Sequence, residues 1–152
     1  MVRGNRFVWQ LLRIVLGFIA AVVFSGFFLA WGFFQGGVPD HSPAAVAAII
    51  GSGLVTASVL GSVSLFPAVF AIGIAEALGL RSFIYHVGAA GVLAFALWMM
   101  GGDVAAEGPR PGSPVALAAG FVGGFVYWLI AGRSSGCWKT AVSSDGNPPA
   151  SA

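Results

Sequence analysis

The chain has 152 residues, of which 58 % are hydrophobic and 8 % charged, and its formal net charge is +2. A soluble domain carries about 25 % charged residues, so a surface covered by water is excluded and lipid is the expected solvent. The basic residues stand singly at the ends of apolar stretches. They form neither the patch nor the aromatic platform that nucleic acid requires, so no nucleic-acid partner is expected.

Arg3 and Arg6 precede an apolar run from Phe7 to Phe34. That run outlasts the core of a signal peptide and leads to no small-residue cleavage site, which predicts an uncleaved first span. Trp9 and Trp31 fall at the heights of the two interfacial belts. The connection up to Pro43 holds Asp40, His41 and Ser42. A capping hydroxyl followed by proline is a helix start, whereas one imidazole beside one carboxylate does not hold a metal.

Residues 44–80 pose a choice between one long helix and two short spans turning near Gly61 and Pro67. One crossing gathers Arg3, Arg6, Arg13, Arg81, Arg133 and Lys139 on one side and leaves only Arg110 on the other. Two crossings would scatter these charges, so the positive-inside rule favours a single helix of about 55 Å. A bend is expected around Gly61, Ser62 and Pro67, with a broken or re-entrant segment as the alternative.

A tight turn around Arg81 leads to a third span over 83–100. An irregular, proline-rich loop with Asp103, Glu107 and Arg110 follows, and then a fourth span over 115–131 ending in Tyr127, Trp128 and Arg133. Residues 1–140 are thus expected to form one transmembrane domain, and 141–152 a disordered cytoplasmic tail. No internal repeat is visible, so an inverted-repeat transporter is not supported. The one cysteine, Cys137, is expected to be an ordinary thiol, with a reactive or acylated juxtamembrane residue as the alternative.

Small residues recur at four-residue intervals: Gly53, Ala57 and Gly61 in the second span, and Ala116, Gly120 and Gly124 in the fourth. Such ridges let helices in lipid approach closely. Packing inside one bundle is the plainer expectation, and a homo-oligomer through Gly120 and Gly124 the sharper one.

Ionisable residues inside spans are costly and need a reason. Arg13, Glu76 and His86 all fall within about 10 Å of the same end of their helices, in one layer. Glu76 also sits near a helix C-terminus, where an anion is disfavoured, so a donor should face it. Arg13 or His86 could supply that donor, and Arg6, Gln10, Arg13 and Gly17 share one helical stripe, a polar face of the first span. Two readings stay open. The cluster is an interhelical lock, with Arg13 snorkelling, or it is a proton or cation site coupled to movement about Pro67. No catalytic triad, metal-ligand array or phosphate-cradling loop is present in the sequence, and Gly51–Gly53 lies inside an apolar stretch without a following lysine.

The stretch from Ile72 to Ala90 (IGIAEALGLRSFIYHVGAA) and the closing YWLIAGR from Tyr127 to Arg133 resemble a group of small four-span inner-membrane proteins predicted from alphaproteobacterial genomes. The resemblance covers the C-terminal half and implies a bacterial inner-membrane protein. It implies no activity.

The expectation is an all-α, four-span transmembrane bundle with both termini cytoplasmic. It would lack catalytic chemistry and cofactors and act as an accessory, assembly or structural element of the bacterial inner membrane. The alternative is an oligomeric proton- or cation-linked transporter or channel using Arg13, Glu76 and His86. Expected partners are the lipid bilayer and either further copies of the chain or a larger membrane complex.

Overall fold

A computed structural model describes residues 4–34, 42–101 and 111–137. Four helices account for nearly all of them: α1 (Gly4–Phe34), α2 (Pro43–Leu78), α3 (Phe83–Met100) and α4 (Ser113–Ile130), followed by a short 3-10 turn at Gly132–Ser134. Each helix is long and apolar enough to cross a membrane. The outward side chains agree, since Phe66 is 89 % and Phe33 82 % exposed. Aromatic rings left that bare suit hydrocarbon and not water. The fold is an all-α four-helix bundle of the multi-pass membrane type.

The second apolar stretch is one helix of 36 residues that runs without interruption through Pro67. Its ends are built as the residues require. Ser42 Oγ accepts from the Ala45 N–H at 3.2 Å, and Pro43 opens the first turn. Gly79 closes the helix at φ 66, a left-handed conformation that disfavours a side chain. The serines within α2 turn back on their own helix: Ser58 donates to Leu54 O at 2.9 Å and Ser62 to Ser58 O at 2.9 Å. Their hydroxyls therefore ask nothing of a neighbouring span.

Close contact between helices follows the small residues. A Cβ on Gly26 of α1 would lie 2.7 Å from Ala57 N and Gly53 O of α2. A Cβ on Gly120 or Gly124 would lie 2.7 Å from a carbonyl of α3, Ala90 O or His86 O respectively. Helix α4 is thus wedged between α3 and α1, and Ser25 Oγ of α1 donates to Ala119 O of α4 at 2.9 Å. Around the bundle the order is α2, α1, α4, α3. Between α2 and α3 the described hydrogen bonding is the single Tyr85 hydroxyl donated to Ala71 O at 2.8 Å.

The Ala116, Gly120 and Gly124 ridge is buried inside the bundle. Gly120 and Gly124 pack against α3 of the same chain, as the plainer expectation for this ridge has it. Gly53 and Ala57 are buried as well, while a Cβ on Gly61 would come no nearer than 3.7 Å to a neighbour, the Val22 side chain. The fourth helix stops at Ile130, one residue short of expectation, and the 3-10 turn that follows was not anticipated. Asp40, His41, Asp103, Glu107, Arg110, Lys139 and the tail over 141–152 lie outside the described residues.

A larger residue at the α3–α4 contact should overfill it. Gly124→Val is expected to lower stability by about 1–3 kcal/mol. Gly73→Ala, at a position with nothing within 4 Å, should be neutral or stabilising by up to about 1 kcal/mol. Thermal unfolding in detergent micelles reads the difference, and equal effects would contradict this packing.

Candidate functional site

The end of the bundle where α1 begins and α4 ends, here the basal face, gathers the polar side chains. Glu76 is placed there by the last turn of α2 and is 9 % exposed. Its Oε1 accepts from Gln10 Nε2 of α1 at 2.7 Å, and its Oε2 accepts from the Gly136 N–H at 2.8 Å. A carboxylate at a helix C-terminus faces the negative end of the dipole. Two N–H donors from other segments offset that.

Gln10 is buried more deeply than Glu76, at 2 % exposure. While its amide nitrogen holds Glu76, its Oε1 accepts from Ser134 Oγ at 2.9 Å and from Cys137 Sγ at 3.5 Å. One amide side chain therefore ties α2 to the segment that follows α4. That segment, Gly132–Cys137, folds back beneath α1 and α2 as a hook. The 3-10 turn starts the reversal, and Gly136 completes it at φ 74. Glycine is needed there twice over, since a Cβ would also lie 2.9 Å from Gly79 Cα.

The hook is fastened on its other side through the α2–α3 turn. Arg81 Nε donates to Ser135 O at 3.1 Å, and Trp128 Nε1 donates to Arg81 O at 3.0 Å. The Arg133 guanidinium lies over the Trp128 ring, 5.7 Å from its centroid. A neighbouring cation and a ring face attract each other, most strongly where water is scarce.

The three ionisable residues singled out from the sequence reach different surroundings. Glu76 enters the knot just described. Arg13 lies over Trp9 of its own helix, with its guanidinium carbon 5.8 Å from the ring centroid. His86, 6 % exposed, places Nδ1 2.9 Å from Ser82 O and stacks on Tyr127 at 5.6 Å between centroids. Gln10, three residues before Arg13 on the same stripe, supplies the donor that Glu76 lacks on its own helix. Gln10, Ser134 and Gly136 were missed as site residues. The polar stripe of α1 pointed toward Gln10, but nothing in sequence marks a backbone N–H as a partner for a carboxylate 60 residues away.

Among the described residues no group of three or more His, Cys, Asp or Glu side chains is placed to hold a metal ion. What the arrangement does chemically is to satisfy buried polar atoms at the point where three segments meet. Comparison with protein-family models, curated proteins and solved structures finds no match to this chain.

Removing either partner strands the other, at a cost of about 1–3 kcal/mol for each buried group left unsatisfied. Gln10→Ala and Glu76→Ala should each lower stability, and the pair should show a coupling of about 0.5–3 kcal/mol in a double-mutant cycle. Arg13→Leu and Glu76→Ala should add independently. Additive behaviour of Gln10 with Glu76, or strong coupling of Arg13 with Glu76, would show that the partner is wrongly assigned.

Proposed function

We propose that the chain is a small multi-pass protein of the bacterial inner membrane, with both termini in the cytoplasm. In this reading it acts as an accessory, assembly or structural element and has no catalytic chemistry of its own. The observation that carries the reading is the state of Glu76. Each carboxylate oxygen is held by a donor from a different segment, Gln10 of α1 and Gly136 of the hook. Groups bound in this way fix a fold, and movement of α2 would have to break both bonds.

Orientation rests on charge. In sequence, Arg3, Arg6, Arg13, Arg81, Arg133 and Lys139 fall near the start of the first span, between the second and third spans or after the fourth, against Arg110 between the third and fourth. The resemblance of the second half to small alphaproteobacterial four-span proteins agrees with that location. The oligomeric proton- or cation-linked transporter keeps one observation in its favour: the Nε2 of buried His86 has no hydrogen-bond partner.

The test is the mass of the complex, extracted gently from its own membrane and weighed intact, followed by proton flux in reconstituted vesicles. The accessory reading expects other polypeptides in the complex and no flux. A symmetric homo-oligomer with proton flux that Glu76→Gln abolishes would replace it with the transporter. An Ala106→Cys probe in a Cys137→Ser background should react with an impermeant thiol reagent from outside intact cells. Labelling only after lysis would reverse the orientation.

A further inference from the structure

The outer seam between α3 and α4 ends, at the basal face, in two arginines. Phe121, Phe125 and Trp128 follow one another along α4 at steps of four and three residues, so they share one side of the helix. That side leans on α3. The Phe121 ring packs where a Cβ on Gly91 would collide with it, and Phe125 and Trp128 meet the Phe83 ring edge-on, at 6.0 and 5.2 Å between centroids. Phe83, Phe121 and Phe125 are nonetheless exposed. Together they form an apolar track from the middle of α4 to its last turn.

Trp128 stands at the end of the track, where a spanning helix gives way to lipid head groups. It is held in place from two sides. Its Nε1 donates to Arg81 O at 3.0 Å, and Phe83 buttresses its ring. The Arg133 guanidinium lies over that ring, 5.7 Å from the centroid. The Arg81 guanidinium belongs to the same corner, since its Nε donates to Ser135 O, two residues beyond Arg133. Both arginines are exposed. Each guanidinium carries five N–H donors. Among the described residues Arg81 uses only its Nε–H, Arg133 uses none, and no carboxylate pairs with either.

Two cations at head-group depth without a counter-charge from the protein call for an anion from outside it. A phosphate matches the planar fork of arginine, which grips two oxygens at once. The track beside the pair decides the source, because it accommodates an acyl chain, which a free phosphate lacks. A zwitterionic head group brings an ammonium that the guanidiniums repel, so the fit is to a lipid of net negative charge. We propose that this corner binds one anionic glycerophospholipid. Its phosphate sits at Arg81 and Arg133, and an acyl chain lies along Phe83, Phe125 and Phe121. The site needs only a multi-pass protein and holds for either reading of that protein's role.

The test uses the unaltered protein in phosphatidylcholine nanodiscs with a small share of phosphatidylglycerol that carries a photoreactive diazirine in one acyl chain. Labelling should saturate and map to 83–91 of α3 and 121–128 of α4. Unlabelled phosphatidylglycerol should compete about twentyfold better than phosphatidylethanolamine, from about fivefold for each arginine near an anionic head group. Arg133→Gln, which breaks no hydrogen bond of the fold, should cut that preference about fivefold. Arg81→Lys loses the bond to Ser135 but keeps the charge, and should retain most of it. Arg13→Gln, at the same end of the bundle but on α1, should leave it unchanged. Equal losses from Arg13→Gln and Arg133→Gln would mean diffuse attraction to a basic face and would remove the site. Labelling spread over all four helices, or equal competition by the two lipids, would do the same. Displacement by glycerol phosphate, a head group without chains, would overturn the lipid in favour of a soluble anion.

Discussion

In a bundle surrounded by hydrocarbon, a buried carboxylate without partners is costly, and the basal junction supplies them to Glu76. Glu76 and Gln10 form that junction. The carboxylate takes donors from α1 and from the hook, and the amide of Gln10 passes the connection on to Ser134 and Cys137. Remove this junction and the hook loses its hold on α2, while Arg81 and Trp128 remain to pin it from the α3 side. The junction also explains why a carboxylate is tolerated near the end of α2, where the helix dipole disfavours it.

The rest of the bundle is held by shape. Hydrophobic expulsion does not distinguish a neighbouring helix from lipid, so contact must come from close packing. Gly26 brings α1 onto Ala57 and Gly53, and Gly120 and Gly124 bring α4 onto α3. Between α2 and α3 above Tyr85 the helices separate and a cavity opens. Helices in lipid meet only where backbones can touch or hydrogen bonds can cross.

Much of this was legible in the sequence. Four apolar stretches separated by glycine, proline and charge mark four helices, and Ser42–Pro43 marks the start of α2. The charge distribution favoured one long helix over two short spans, as α2 turns out to be. Glu76 stood out because an ionisable residue within a span demands an explanation. Its partner was harder to see. A search for charge complementarity leads to Arg13, yet the donor is the uncharged amide one turn away, and Arg13 lies over Trp9. The hook was invisible for a different reason. Its grip depends on a backbone N–H and a left-handed glycine, neither of which has a side-chain signature. The cavity could not be read at all, since it depends on where α2 and α3 fail to touch.

The most direct measurement of the junction is hydrogen exchange at the Gly136 amide, followed by NMR in lipid nanodiscs for the parent protein and for Glu76→Ala. The account predicts a protected amide in the parent that exchanges at the rate of a free peptide once the carboxylate is gone. Fast exchange in the parent, or protection that survives the loss of Glu76, would contradict it.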